Sequence, residues 1–193
     1  MLSLAERILA LEAAFEQARI PHAFGGALAL AFHVEEPRAT RDIDVNVFVG
    51  PEEVARVFRA LPVGASWKAA DVLRVEHDGQ VRIFWDDTPV DLFFSTHAFH
   101  DVAWLAIERV PFAGGDIPIL GATELVVFKV FFDRTRDWAD IEAMIDAGAP
   151  DLHLAIGWLV DLLGPEDARV DRLRALLSRR PGPEPRFEPP ANA

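Results

Sequence analysis

Two acidic residues at alternate positions of a short apolar segment constrain this chain more than any other feature. The segment, residues 42–49, reads DIDVNVFV and favours a β-strand. Side chains alternate between the two faces of a strand, so Asp42 and Asp44 point to one face while Ile43 and Val45 point to the other. Two carboxylates this close repel each other unless a cation lies between them. The pattern therefore predicts a sheet with a cation-binding face.

A pair of glycines lies upstream of this strand. Residues 22–24 are predicted to form a short strand, Gly25 and Gly26 a turn, and residues 27–33 a compact apolar helix. The backbone N–H groups at the start of a helix bind anions, and the helix dipole favours negative charge there. We expect the turn to receive the phosphates of a nucleotide.

A third acid, Asp91, stands in the apolar sequence PVDLFF, where residues 90–94 are predicted to form a strand. An unpaired charge is costly in such surroundings. Mg²⁺ prefers oxygen ligands and usually takes one or two carboxylates with substrate phosphate and water. A metal site shared by Asp91 with the first two acids would compensate all three charges. The alternative is that Asp42 and Asp44 are solvated acids at a strand end, paired with Arg38 and Arg41.

The rest of the chain predicts an α+β fold, with a mixed β-sheet core flanked by helices and a helical C-terminal region. Further helices are expected at residues 4–19, 52–60, 97–105, 124–133, 137–147, 152–163 and 166–179. Further strands are expected at residues 67–70, 73–77, 81–85, 108–112 and 117–119, with a hairpin turn at residues 77–80. The predicted divisions are an α/β core at 1–120, the helical region at 121–180 and a flexible proline-rich tail at 181–193.

Composition narrows the class of protein. Apolar residues make up 51% of the chain, enough for a sizeable core, and the absence of Cys excludes disulfides and thiolate metal sites. The N-terminal sequence is an amphipathic helix interrupted by charges, unlike the apolar centre of a signal peptide. No apolar segment approaches the length that spans a bilayer. These features predict a cytoplasmic protein that does not enter a membrane.

The charge balance bears on partners. The chain has 31 acidic and 19 basic residues, a net charge of −12. Non-specific binding to long nucleic acids depends on neutralising many phosphates, so extended nucleic-acid binding is not expected. The negative charge fits a cationic small substrate or a protein partner better.

Taken together, Gly25-Gly26, Asp42-Ile43-Asp44 and Asp91 resemble the nucleotidyltransferase superfamily with the polymerase-beta-like fold. In that superfamily an apolar-Gly-Gly/Ser turn precedes an Asp-x-Asp/Glu strand, and a third acid follows on a later strand. The match spans residues 22–94. The phrases GGALAL and RATRDIDV are also similar to the starts of small antibiotic nucleotidyltransferases. Residues 124–145 resemble the Lys, Arg, Asp-x-x-Asp segment of abortive-infection nucleotidyltransferase toxins.

The resemblance implies transfer of a nucleoside monophosphate from a nucleoside triphosphate to a hydroxyl acceptor, which could be a small molecule, a tRNA or a protein. It implies two Mg²⁺ ions, with Mn²⁺ as an alternative, bound by Asp42, Asp44 and Asp91, which are also the catalytic residues. Asp91 would help to remove the hydroxyl proton. The nucleotide would be contacted by Gly25, Gly26, Arg41 and Lys129.

Several residues have a structural alternative. Lys129 lies in an otherwise apolar helix and either reaches towards phosphate or extends to solvent. Asp137 and Asp140 share a helix face and are explained most simply as a helix-start acid and a partner for Arg134 or Arg136. His97 and His100 have the spacing of metal ligands, but without a third ligand nearby they are interpreted as surface or core histidines.

Two other functions compete with nucleotidyl transfer. One is a catalytically silent nucleotide-binding or regulatory module, such as one half of a toxin–antitoxin pair with a partner protein. The other is a glycosyltransferase that uses Asp-x-Asp to bind the metal of a sugar nucleotide. The glycine turn upstream, the third acid downstream and the short chain argue against the glycosyltransferase.

Overall fold

The protein is built on one mixed β-sheet. The structure, a computed structural model, describes residues 2–179, and within them seven strands form a sheet in the order β3-β4-β5-β2-β1-β7-β6. Nine α-helices from the same described residues cover it. The predicted α+β class, with a mixed sheet flanked by helices, is confirmed. The predicted tail at 181–193 lies outside the described residues.

The elements lie close to the predicted segments for most of the chain. The strands are β1 (His22–Phe24), β2 (Ile43–Val47), β3 (Ala65–Ser66), β4 (Gln80–Trp85), β5 (Thr88–Phe94), β6 (Glu108–Phe112) and β7 (Gly115–Ile119). The helices are α1 (Leu4–Gln17), α2 (Gly26–Leu30), α3 (Val54–Ala60), α4 (Ala69–Asp78), α5 (Phe99–Leu105), α6 (Ala122–Phe132), α7 (Thr135–Asp146), α8 (Leu152–Leu163) and α9 (Ala168–Ser178). A 3₁₀ turn at Pro51–Glu53 precedes α3.

One prediction was wrong. Residues 67–70 and 73–77 do not form two strands, because residues 69–78 form helix α4. The Asp71 carboxylate accepts a hydrogen bond from the Lys68 backbone N–H at 2.8 Å and so caps the helix start. The helix ends at Gly79, which has a positive φ of 67°. The predicted hairpin turn at 77–80 is therefore a helix end, and the turn between β4 and β5 lies at Asp86 and Asp87 instead.

Strands β2, β4 and β5 form the part of the sheet that positions the acids. Strand β2 pairs in parallel with β5 and antiparallel with β1, and β4 pairs antiparallel with β5. Burial alternates along β4 and β5, as expected when one face of a strand packs into a core and the other is more open. The buried face contributes Val45, Leu92 and Ile83 to the main core, which also contains Leu11 and Phe15 of α1.

Helix α6 is the centre of the helical region. It is buried along most of its length and packs against α2, α7, α8 and α9. No helix among residues 2–179 has both the length and the apolar character needed to cross a bilayer.

Candidate active site

The sheet brings the three acids together on one face. Asp44 of β2 and Asp91 of β5 are directly paired in the parallel register, so their side chains point to the same face. Asp42 lies two residues before Asp44, and its backbone N–H donates to the Thr40 hydroxyl at 3.2 Å. Residues separated by about 50 positions in the sequence therefore become neighbours through strand pairing alone.

A cation also lies at this face. Strand β4 pairs Arg82 with Asp91, and the Arg82 guanidinium donates two hydrogen bonds to the Asp91 carboxylate, from Nε at 2.7 Å and from Nη2 at 2.6 Å. The same Nη2 lies 3.3 Å from Asp42 Oδ2. Charge-assisted bidentate pairs of this kind are among the stronger protein hydrogen bonds. Arg82 therefore bridges two of the three acids, and sequence analysis missed it.

Asp44 is partly buried and lies beside the other two acids. Burial raises the pKa of Asp44 to about 6, and the neighbouring carboxylates of Asp91 and Asp42 add to this rise. Lys129 and Arg134 act in the opposite direction, but their effect on the Asp44 pKa is smaller. A carboxylate in this position gains more from a bound cation than a solvated one does.

The glycine turn lies against Asp44. The Gly25 N–H donates to the Asp44 carbonyl oxygen at 2.9 Å, which ties the turn to β2. Gly26 has a positive φ of 52°, and a Cβ atom at Gly26 would overlap the Asp44 carboxylate. Only glycine combines this backbone conformation with such a close approach. The following helix α2 has only five residues and is shorter than expected.

A buried ion network lies beside the acids. Lys129 Nζ lies 2.6 Å from Asp140 Oδ2 and 3.5 Å from Asp137 Oδ1. Arg38 forms a bidentate pair with Asp140, with both distances 2.9 Å. Arg134 Nε donates to Asp137 at 2.6 Å, as expected for that pair. Lys129 is only 4% exposed, so its ammonium group does not extend to solvent.

The remaining predicted residues lie at the edges of this region. Arg41 is exposed at the end of the loop before β2. The sequence analysis offered Asp42 as the structural partner of Arg38. In the structure, Arg38 pairs with Asp140 instead. His100 is buried and its Nδ1 lies 3.1 Å from the His97 carbonyl oxygen, consistent with a core histidine.

The acids have the donor type that Mg²⁺ requires, namely carboxylate oxygens on one face. Within residues 2–179, no three His, Cys, Asp or Glu side chains are arranged to hold a metal ion as they stand. The Arg82 guanidinium instead compensates Asp42 and Asp91. The carboxylate ligands are therefore of the type that a divalent ion needs, and Arg82 would have to shift as the ion binds.

Comparison with known proteins is informative at the level of fold. No protein-family model matches the sequence, and no curated protein matches it either. Among solved structures, the lincosamide antibiotic adenylyltransferase LnuA, with lincomycin bound, is 11% identical with a TM-score of 0.50 over 73% of this chain and 96% of that one. ANT(2")-Ia in complex with adenylyl-2"-tobramycin is 16% identical with a TM-score of 0.50 over 89% of this chain and 95% of that one.

This chain has the nucleotidyltransferase fold. The fold implied by the resemblance at Gly25-Gly26, Asp42-Ile43-Asp44 and Asp91 is confirmed. Sequence identity to these structures is low. The role of each residue in this protein therefore rests on the geometry of its own site.

Proposed function

We propose that this protein is a nucleotidyltransferase, which transfers a nucleoside monophosphate from a nucleoside triphosphate to a hydroxyl acceptor. The observation that supports the proposal most directly is the pairing of Asp44 with Asp91 on adjacent parallel strands, with Asp42 beside them and the Gly25-Gly26 turn against Asp44. A structural role alone does not require three carboxylates on one face, because their mutual repulsion is unfavourable.

In the proposed reaction the acceptor hydroxyl oxygen attacks the α-phosphorus, forming a new P–O bond. The bond from the α-phosphorus to the bridging oxygen breaks, its electron pair stays on that oxygen, and pyrophosphate leaves. Bound Mg²⁺ would supply charge neutralisation at the phosphates and lower the pKa of the attacking hydroxyl. Asp42, Asp44 and Asp91 would hold the ions.

The protein's own groups would perform the remaining tasks. Asp91 would accept the hydroxyl proton once the Arg82 guanidinium, which donates two hydrogen bonds to its carboxylate, has shifted away. The backbone N–H groups of the glycine turn and the Arg41 guanidinium would contact the nucleotide phosphates. Lys129 would contribute positive charge from the side of α6, in addition to its contact with Asp140. Most of the rate gain would come from charge stabilisation and alignment.

A second candidate function is a silent nucleotide-binding module that acts with a partner protein. One observation favours it: the Arg82 guanidinium already bridges Asp42 and Asp91, at 3.3 Å and 2.6 Å, where an ion would be needed. A protein that no longer binds metal could keep its acids compensated in this way.

Transfer of label distinguishes the two functions. Each α-³²P-labelled nucleoside triphosphate is incubated with a mixture of hydroxyl acceptors and Mg²⁺, Mn²⁺ or EDTA, and labelled product and pyrophosphate are measured. We expect ion-dependent transfer that falls on the order of a hundredfold in Asp44→Asn. Asp116→Asn, at an exposed position of β7, is the matched control and should keep full activity. Transfer that persists in EDTA or in Asp44→Asn would contradict the mechanism, and nucleotide binding without any transfer would favour the silent module.

A further inference from the structure

Two cavities adjoin Asp44, and they differ in the residues that line them. The first, of about 260 Å³, has mostly apolar and aromatic walls and is also lined by Gly26 and Lys129. The second, of about 390 Å³, is lined by Arg82 and Asp91 among others. We refer to the second as the polar recess. Because Asp44 lines both, the two cavities meet at the acids.

The proposed roles of the lining residues assign one reactant to each cavity. Gly26 and Lys129, which would contact the nucleotide, line the first cavity. Asp91, which would accept the hydroxyl proton, lines the polar recess. A general base must lie within hydrogen-bond reach of the proton that it takes. The nucleotide therefore fits the first cavity, and the acceptor fits the polar recess.

The polar recess is rich in guanidinium groups. Arg74 of α4, Arg82 of β4 and Arg134, just before α7, all line it. A guanidinium group donates hydrogen bonds and accepts none, and its planar fork matches the oxygens of a carboxylate or phosphate. The lining of the polar recess therefore favours a ligand with an anionic group.

Arg74 is the guanidinium with donors to spare. Its ion pair with Asp71 has an N–O distance of 3.8 Å, which is beyond hydrogen-bond range, and its side chain is 54% exposed. The other two arginines are bonded more closely, Arg82 to Asp91 at 2.7 Å and Arg134 to Asp137 at 2.6 Å. An anionic group in the polar recess would therefore bind Arg74 without breaking a hydrogen bond.

Arg82 would become the second partner of such a group. Its guanidinium has to leave Asp91 before that carboxylate can accept a proton. The Arg82 side chain is 49% exposed, so it has room to move. A guanidinium that has left its carboxylate gains from another anion nearby. An anionic acceptor would supply that anion within the polar recess.

A cationic acceptor fits this lining poorly. Asp91 already has a cation partner in Arg82, and Asp78, which also lines the polar recess, lies 2.6 Å from the His77 ring. A cationic group would have to compete with Arg82 and would face the like charge of Arg74. This modifies the expectation from net charge, which favoured a cationic substrate.

We propose that the polar recess is the acceptor site, and that the acceptor is a small hydroxyl compound carrying a phosphate or carboxylate group that binds Arg74 and the shifted Arg82. This inference rests on the proposed transferase function. A small anion is favoured over a long polyanion because the net charge of the chain is −12.

Three hexose probes test the inference on the full-length chain by calorimetry in metal-free buffer. Glucose 6-phosphate and 6-amino-6-deoxyglucose share one sugar ring and carry opposite charges at the same carbon, and glucuronate carries a carboxylate there. We expect at least one anionic probe to bind about tenfold more tightly than the amine, or more. The tighter of the two anionic probes identifies the group that the polar recess prefers.

Variants of Arg74 locate the binding. Arg74→Gln should weaken the anionic probes by about tenfold. Arg74→Glu should reverse the preference, so that the amine binds more tightly than either anion. Arg59→Gln is the matched control, since Arg59 is exposed on α3 and lines neither cavity. Because Arg74 is exposed on α4, all variants should unfold at the wild-type temperature, and thermal unfolding checks this.

Three results would overturn the inference. The first is amine binding as tight as that of the anionic probes on wild type. The second is unchanged binding of the anionic probes in Arg74→Gln. The third is their displacement by Mg²⁺ and a nucleoside triphosphate, since the triphosphate would then occupy the polar recess.

Failure of the transferase proposal gives a different result. The anionic probes bind without nucleotide or metal, so their affinity is independent of any transfer. Probe binding that depends on Arg74, without any nucleotide binding, would refute the transferase and still support an anion site in the polar recess. Nucleotide binding that depends on Mg²⁺ and Asp44, without a preference for the anionic probes, would support the transferase and refute the acceptor class.

Discussion

At the scale of single residues, Asp44 is kept where a carboxylate is unfavourable for folding. Its carboxylate is largely buried, faces two other acids and has a pKa of about 6. Folding therefore favours the protonated form. A group whose pKa is raised on folding stabilises the fold below its unfolded pKa, near 4, and this contribution is lost as the pH rises through about 6.

This linkage predicts that Asp44→Asn stabilises the metal-free protein at alkaline pH. At pH 8 the ionised Asp44 carboxylate lowers the unfolding free energy of the wild type by roughly 3 kcal/mol, which is the equivalent of a rise of about two pKa units. The neutral amide of Asp44→Asn does not have this cost. In EDTA, denaturant unfolding should show a gain of up to this size at pH 8 and little difference at pH 4. The exposed Asp116→Asn control should show no such pH dependence. A variant less stable than wild type at pH 8 would contradict the origin assigned to the raised pKa.

Arg82 provides a second test at this scale. Because its guanidinium contacts both Asp42 and Asp91, it competes with a divalent ion for the same carboxylates. Arg82→Gln should therefore bind Mn²⁺ several-fold more tightly than wild type, measured by calorimetry without nucleotide. Arg74 lines the same cavity as Arg82 but does not contact these acids, so Arg74→Gln removes the same charge and should change Mn²⁺ affinity less. Weaker Mn²⁺ binding in Arg82→Gln would show that the arginine does not compete with the ion.

At the scale of elements, the predictable parts of the fold are those with a local signal. Alternating Asp and apolar residues identified β2, and the glycine pair identified the turn that contacts Asp44. Helix α4 was misassigned although its apolar residues follow the helical period, because Val72 and Val75 are β-branched and also favour a strand. The acid at its third position, Asp71, was the available signal for a helix start.

The contacts that sequence analysis missed depend on how distant elements pair. Arg82 reaches Asp91 only because β4 and β5 are aligned in that register, and a shift by one residue would turn its side chain to the other face. Arg38 and Asp140 are 102 positions apart and meet because α7 packs beside the loop that leads to β2. No local pattern indicates either pair.

The buried ion network between α6, α7 and this loop gives a prediction about elements. Lys129 is 4% exposed and compensates Asp140, so Lys129→Met leaves a buried acid with one fewer partner. We expect a loss of about 3 kcal/mol in unfolding free energy, partly recovered when Asp140→Asn is added. Lys68→Met, at an exposed lysine, should change stability by less than about 0.5 kcal/mol. Wild-type stability in Lys129→Met would mean that Asp140 is compensated by Arg38 alone.

At the scale of the whole molecule, the candidate site is a product of sheet topology. The glycine turn follows β1, the first two acids belong to β2 and the loop before it, and the third belongs to β5. These strands are adjacent in the sheet order β5-β2-β1, so segments distant in the chain converge at one place. Helix α6 covers the same region, and its last residue, Phe132, lines both of the cavities that adjoin Asp44.

Calorimetric titration with each nucleoside triphosphate, with Mg²⁺ and with EDTA, tests the central claim most directly. On wild type we predict binding of at least one triphosphate that requires Mg²⁺, because the acids repel its phosphates unless an ion lies between them. Asp44→Asn should weaken that binding at least tenfold, while Asp116→Asn should not. Equal affinity with Mg²⁺ and EDTA, or in wild type and Asp44→Asn, would contradict the account.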